Sequence, residues 1–194
     1  MNVQTISDQE LIHLYLKGNE ASLETLIKRH QRAIFNVIYL LVRNRSLADD
    51  LFQETFIKII QKLKDGNYNE EGKFLPWAAR VARNLTIDHM RKMKRNVTIT
   101  DSEGNDIFNY IQIAEESKED IMIKEQTERG IKQLVKLLPE EQREVLIMRH
   151  WGNMSFKEIA DATGVSINTA LGRMRYAISN LKKMMDKQQL MPKQ

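Results

Sequence analysis

Along most of this chain apolar residues recur at intervals of three and four, the spacing that gathers them on one face of an α-helix. Strand-like alternation appears only in fragments such as NVTIT and YIQIA. The spacing predicts helices at roughly 8–17, 20–43, 46–64, 75–94, 119–137, 140–151, 155–162 and 166–187. The starts are marked locally: SDQE from Ser7 and SFKE from Ser155 are capping-box patterns, and Pro139 suits the first turn of a helix. Periodicity fails between Asn96 and Lys118, where a SEGND turn cluster sits, so this stretch reads as a linker. The expected fold class is all-α, with two small helical domains at 1–95 and 119–194 joined by an acidic linker at 96–118, the second a helix-turn-helix domain.

Composition narrows the picture mostly by exclusion. The 194 residues are 42% apolar, enough to build cores, and contain no cysteine and four scattered histidines. Disulfides and thiolate zinc sites are therefore excluded, and no metal or other cofactor is expected. The run AIFNVIYLLV is far short of the roughly 20 residues of a membrane helix, and the start MNVQTISDQE lacks the pattern of a secretion signal. A cytoplasmic protein without membrane insertion is the expectation.

The net charge of +4 says little, but its distribution says more. From Lys73 to Arg95 the bases are Lys73, Arg80, Arg83, Arg91, Lys92, Lys94 and Arg95, against the single acid Asp88. From Val97 to Asp120 the sign reverses, with Lys118 the single base. A basic segment of this kind favours phosphate.

SFKEIADATGVSINTALGRMR, from Ser155 to Arg175, has the pattern of a helix-turn-helix. The residue packed between the helices must be small and the turn must tolerate a left-handed backbone, which suits Ala160 and Gly164. Ser166 would cap the second helix, whose first turns present Asn168, Thr169, Leu171, Gly172, Arg173 and Arg175 to a major groove, with Lys182, Lys183 and Lys187 placed for phosphates. A plain helical hairpin is the alternative. Against it stands the preceding LPEEQREVL segment, a third helix whose Val145, Leu146 and Met148 would support the motif.

In the amino-terminal half, SLADDLFQETFIKIIQKL has an apolar face of Leu47, Leu51, Phe52, Thr55, Phe56, Ile59, Ile60 and Leu63. Its other side carries Asp49, Asp50, Gln53, Glu54 and Ile57. Asp50 and Glu54 are like charges four apart, a pairing that costs roughly 0.2–0.5 kcal/mol in an isolated helix. Either a basic partner relieves them or the face is simply solvated. The next helix, LPWAARVARNLTIDHMRKMKR, turns Ala78, Val81, Ala82 and Leu85 to a core. A separate stripe holds Trp77, Arg80, Asn84, Asp88, Arg91 and Arg95, combining a stacking surface, an amide and bases as capture of unpaired bases requires. Trp77 itself is equally compatible with a place in the core.

Together these segments resemble bacterial RNA polymerase sigma factors of the extracytoplasmic-function (ECF) sigma-70 group, the compact type with sigma domains two and four. The marks are ADDLFQETFIKI, similar to the family's D-x-x-Q-E-x-F helix; FLPWAARVARNLTIDHMRK, similar to W-x-x-x-I-A-R-N; and the reader segment beginning at LPEEQREVL. The resemblance covers almost the whole chain. It implies a non-enzymatic factor that binds core RNA polymerase and directs promoter-specific initiation. Asp49, Asp50, Gln53 and Glu54 would dock on the clamp helices of the largest subunit. Asn84 would help capture a flipped minus-ten base, with Trp77, Arg80, Asp88 and Arg91 as neighbours. Ser166, Asn168, Thr169, Leu171, Arg173 and Arg175 would read the minus-thirty-five element, and the acidic linker would thread near the RNA exit path. An anti-sigma factor is a further partner common in the family.

One segment departs from the family. Where many members have T-V-K-S-R-L-H-R-A-R, this chain has TALGRMRYAI, so Leu171 replaces a lysine, Tyr176 and Ile178 replace arginines, and Arg175 is gained. Two other classes fit poorly. A response regulator needs an α/β receiver that residues 1–95 do not encode, and a nucleic-acid enzyme needs a carboxylate cluster, zinc ligands or phosphate loop that is absent from the sequence.

Overall fold

A computed structural model describes residues 6–68, 73–96 and 128–187. Eight helices and no strand occur among these residues: α1 (Asp8–Leu16), α2 (Glu20–Val42), α3 (Arg45–Lys64), α4 (Phe74–Asn96), α5 (described from 128 to 136), α6 (Glu140–His150), α7 (Phe156–Thr163) and α8 (Ile167–Lys187). The predicted helix at 119–137 is therefore described only in its second half. The predicted linker, apart from Asn96, lies outside the described residues.

Local chemistry sets the helix ends. The side chains of Ser7, Asn19 and Asn44 accept hydrogen bonds from the amides of Glu10, Ser22 and Leu47 and so start α1, α2 and α3. Ser155 and Glu158 form a complete capping box at α7, each side chain bonded to the other's backbone amide. Pro139 occupies the capping position before α6 rather than its first turn, its fixed φ being compatible with either.

α2 is the axis of the molecule. It packs against α1, α3 and α4 on one side and against α6 on the other, so its second half is buried all round from Asn36 to Leu41. That explains why the run around Ile38 lacks the polar stripe of a surface helix. Ala48, Leu51, Phe56, Ile59 and Leu63 of α3 and Phe74, Ala78, Ala82 and Leu85 of α4 complete this first core. In the second unit Val145, Leu146, Ile147 and Met148 of α6 are buried with Ile159 and Ala160 of α7 and Ala170 and Ala177 of α8.

The two cores are continuous. Arg43, which ends α2 in a left-handed conformation at φ 60°, donates to the Lys136 carbonyl, and the Lys136 ammonium donates to the Tyr39 hydroxyl. Further along, Gly152 comes so close to α4 that a Cβ placed on it would lie 3.0 Å from the Ala79 Cβ, as well as 2.7 Å from the Met148 carbonyl oxygen.

Two glycines thus have different jobs, and their alanine variants should differ. Gly152→Ala, blocked by backbone and by α4, is expected to lower stability in urea unfolding by about 1–3 kcal/mol. Gly164→Ala meets no neighbour, but its φ of 70° should still make it about 1 kcal/mol less stable. A Gly152→Ala protein as stable as the parent would contradict the close approach of the two units.

Candidate functional site

Three surfaces carry the residues singled out from the sequence. The first is the outer side of α3. Asp50, Gln53 and Glu54 are exposed and Asp49 is half-buried. Ile57, on the same stripe, is 56% exposed. Part of the acidity is answered locally, since Arg45 pairs with Asp49 at 3.0 Å and Lys58 with Glu54 at 3.5 Å, each four residues away on the same helix. These are solvent-facing pairs, worth little to stability and easily exchanged for other cations. The Arg45 guanidinium also lies 4.5 Å from the Phe35 ring centre, so its stem is anchored on the core. An exposed isoleucine among carboxylates suits contact with another protein better than contact with nucleic acid.

The second surface is α4. Asn84, Asp88, Arg91 and Arg95 are exposed, and Arg80 is half-buried. Asp88 stands 3.9 Å from Arg91, both side chains well exposed. Trp77 is partly buried against the core, its ring edge-on to Tyr68 at 4.5 Å and tilted to Phe74 at 5.9 Å. It therefore belongs to an aromatic cluster of the core, one of the two places the sequence left open for it, while remaining only partly buried. Between α3 and α4 runs an open groove of about 620 Å³ lined by Glu54, Lys58, Leu85, Asp88, His89, Arg91, Lys92 and Arg95. Five of these can carry positive charge and two negative, and the groove links the acidic stripe to the basic one.

The third surface is the start of α8. Gly164 ends α7 in the left-handed conformation, and Ser166 accepts from the Thr169 amide at 3.1 Å, which caps the next helix at its start at Ile167. Ala160 is buried between α7 and α8 as the tight crossing requires. Ser166, Asn168, Thr169 and Arg175 are exposed, Arg173 is half-buried, and Leu171 is 40% exposed. Tyr176 is 66% exposed and Ile178 is also exposed, so the positions where family arginines are replaced face solvent here.

Two residues central to the arrangement escaped the sequence reading. Arg83 was counted only among the bases of its segment, and Glu144 was not singled out. In the structure Arg83 Nη2 lies 2.7 Å from Glu144 Oε1, with both side chains nearly buried between α4 and α6. No local pattern marks this pair, because the partners are 61 residues apart. A second cross-unit influence acts on Glu158. Burial works to raise its carboxyl, but its hydrogen bonds with Ser155 and the charges of Lys73 and Arg80 hold it below the usual carboxylate range.

Two expectations separate structural from binding residues on α4. Trp77→Ala should lower the unfolding free energy by about 2–3 kcal/mol, somewhat below the range for a fully buried aromatic. Arg91→Ala should change it by less than about 0.5 kcal/mol. Thermal or urea melts of the two variants check this, and equal effects would remove the distinction.

Comparison with known proteins follows the same division. Residues 26–96 match Sigma-70 region 2 and residues 128–175 match Sigma-70, region 4. RNA polymerase sigma-H factor of Pseudomonas aeruginosa is 28% identical over 175 residues, spanning 86% of this chain and 88% of the relative. RNA polymerase sigma factor SigZ of Bacillus subtilis is 31% identical over 145 residues, 75% of this chain and 76% of the relative. Among solved structures, the sigma factor RpoE in complex with the anti-sigma factor NepR from Bartonella quintana superposes with a TM-score of 0.62, covering 84% of this chain and 96% of that one. At 20% identity that likeness concerns the fold.

Proposed function

Because the chain belongs to the ECF group of RNA polymerase sigma-70 factors, we propose that its three surfaces divide the work of promoter-specific initiation. In this reading residues 1–95 dock on polymerase and read the minus-ten element, residues 119–194 read the minus-thirty-five element, and 96–118 connect them. Asp49, Asp50, Gln53 and Glu54 engage the clamp helices of the largest subunit. The observation that carries this is the outer stripe of α3, where an exposed Ile57 sits among exposed acids beside a basic helix. A regulator acting on duplex DNA alone has no need of such a protein-docking face.

On α4, Asn84 takes a flipped base while Arg80 and Arg91 hold the strand and Trp77 supplies a flat apolar border. Asp88 orients Arg91 through their pairing. On α8, Asn168, Thr169, Leu171, Arg173 and Arg175 face the major groove with Ser166 at the helix start. Leu171, lacking the charge of a lysine, suits contact with a thymine methyl rather than a phosphate. The chain performs no chemistry, since bond formation belongs to polymerase, and it acts in the cytoplasm where polymerase is. An anti-sigma factor covering the docking and reading faces is the third partner in this reading. Two small readers on one chain bind weakly unless polymerase fixes their separation, after which their effective concentrations multiply.

The decisive experiment is run-off transcription with purified core polymerase, with and without the chain, on fragments of the source genome. Specific start sites that depend on the chain are expected. Tight footprints by the chain alone, without such transcripts, would favour a stand-alone regulator.

Three sets of variants test the parts. Asp50→Lys with Glu54→Lys should abolish core binding in a titration while the melting curve stays unchanged, both positions being exposed. Arg173→Ala should weaken minus-thirty-five binding by roughly 1–3 kcal/mol if its contact is bidentate to a base. Asn84→Ala should impair promoter opening, and binding to a pre-opened bubble where the unpaired base is available to it, more than binding to closed duplex; equal losses on the two templates would count against base capture.

A further inference from the structure

The contact between the two units uses a side of α4 distinct from both its core face and its outward stripe. Ala79 on this side is fully buried, meets Gly152, and is followed one turn later by Arg83. The Arg83 guanidinium is held there by all three of its nitrogens. Nε and Nη2 lie 2.8 and 2.7 Å from Glu144 Oε1, and Nη1 donates to the Ala162 carbonyl at 2.7 Å and to Asn84 Oδ1 at 3.1 Å. The side chains of Arg83 and Glu144 are 12% and 11% exposed.

A carboxylate oxygen and a carbonyl oxygen converging on one guanidinium form an acceptor set of the kind a nucleic-acid backbone also offers. Arg83 is next in sequence to Asn84 and bonded to its side-chain oxygen, in a helix segment whose single acid is Asp88. With α6 and α7 withdrawn, it would stand as a bare cation at the edge of the minus-ten stripe.

The same contact is incompatible with a promoter. Elements about 25 base pairs apart are separated by about 85 Å at roughly 3.4 Å per pair. Here the helix proposed for the minus-ten element is hydrogen-bonded directly to α7, which supports the minus-thirty-five reader. Binding both elements requires the units to part, and parting breaks the Arg83 contacts with Glu144 and Ala162.

Resting on the proposed function, we infer that Arg83 is a further DNA-contacting residue that takes a promoter backbone phosphate once the units separate, and that Glu144 with the Ala162 carbonyl occupies it until then. DNA and the carboxy-terminal unit compete for one guanidinium. Glu144 thereby restrains the free chain from binding DNA, and polymerase, by holding the units apart, removes the restraint. Loss of Glu144 alone leaves a nearly buried cation uncompensated, which drives the units apart.

The test uses the full chain, whose lack of cysteine permits dye labelling after Lys62→Cys and Ser179→Cys, both exposed positions. Energy transfer between the dyes should fall in both Glu144→Gln and Arg83→Ala. Only Glu144→Gln should gain affinity of the free chain for a short promoter fragment, by roughly five- to tenfold, since it alone opens with the guanidinium intact. In the polymerase holoenzyme Glu144→Gln should match the parent, whereas Arg83→Ala should bind promoter roughly five- to tenfold more weakly, with a salt dependence lower by about one phosphate contact. Parental helical circular dichroism in both variants separates loss of contact from loss of fold. Unchanged energy transfer and affinity in free Glu144→Gln would overturn the restraint. A holoenzyme carrying Arg83→Ala with parental affinity and salt dependence would overturn the DNA contact while leaving the sigma-factor reading standing. Failure of the parent chain to support polymerase-dependent initiation would overturn both, and shows without any Arg83 variant.

Discussion

One helix, α4, has to satisfy three neighbours at once. Its Ala78, Ala82 and Leu85 close the amino-terminal core, its Ala79 and Arg83 meet the carboxy-terminal unit, and Asn84, Asp88 and Arg91 remain in solvent. A helix turns about 100° per residue, so adjacent residues such as Ala82, Arg83 and Asn84 serve three different surfaces. Small residues follow directly. With Ala78, Ala79 and Ala82 fully buried, backbones on both sides can come close, and Gly152 on the opposing unit extends the same close approach. Larger side chains there would widen the separation on which the Arg83 contacts depend.

That crowding makes the basic segment more than a reservoir of positive charge. Its cations are in different situations: Arg91 is solvated beside Asp88, Arg80 is half-buried and felt by Glu158, and Arg83 is nearly enclosed. An enclosed cation depends on its partner in a way a surface pair does not, because withdrawing the carboxylate leaves the charge without water or counter-charge. The α3 acids are the reverse case. Their pairs with Arg45 and Lys58 are open to water and can be replaced by a partner's cations at little cost. The acidic α3 surface is solvated, while the contact of Arg83 with Glu144 joining the units is nearly buried.

Much of this was legible in the amino-acid order. Helix positions follow from the apolar spacing, and the boundaries of α3, α6, α7 and α8 agree with it to within a residue or so. The Ser155 capping box, the left-handed Gly164 and the small Ala160 are local demands of backbone geometry, and local demands are written in neighbouring residues. The outward placement of Asp50, Gln53, Glu54, Asn84 and Arg91 follows from the same periodicity, since α3 and α4 each keep one side polar.

What tertiary structure alone decided is how a second face is used. Periodicity separates apolar from polar positions but does not say whether a polar residue meets water or another element. Arg83 reads like the other bases of its segment, and Glu144 like any acid in an EEQRE run, until α4 and α6 come together and place them 2.7 Å apart. The sequence leaves Trp77 open for the same reason, and only its packing on Tyr68 and Phe74 shows that the ring joins the core. The sequence by itself determined the helices, their faces and their caps, because those depend on residues within a turn or two of each other. The closing of one unit on the other depends on charges and surfaces more than sixty residues apart, and those acquire a meaning only when the chain brings them within a bond's length.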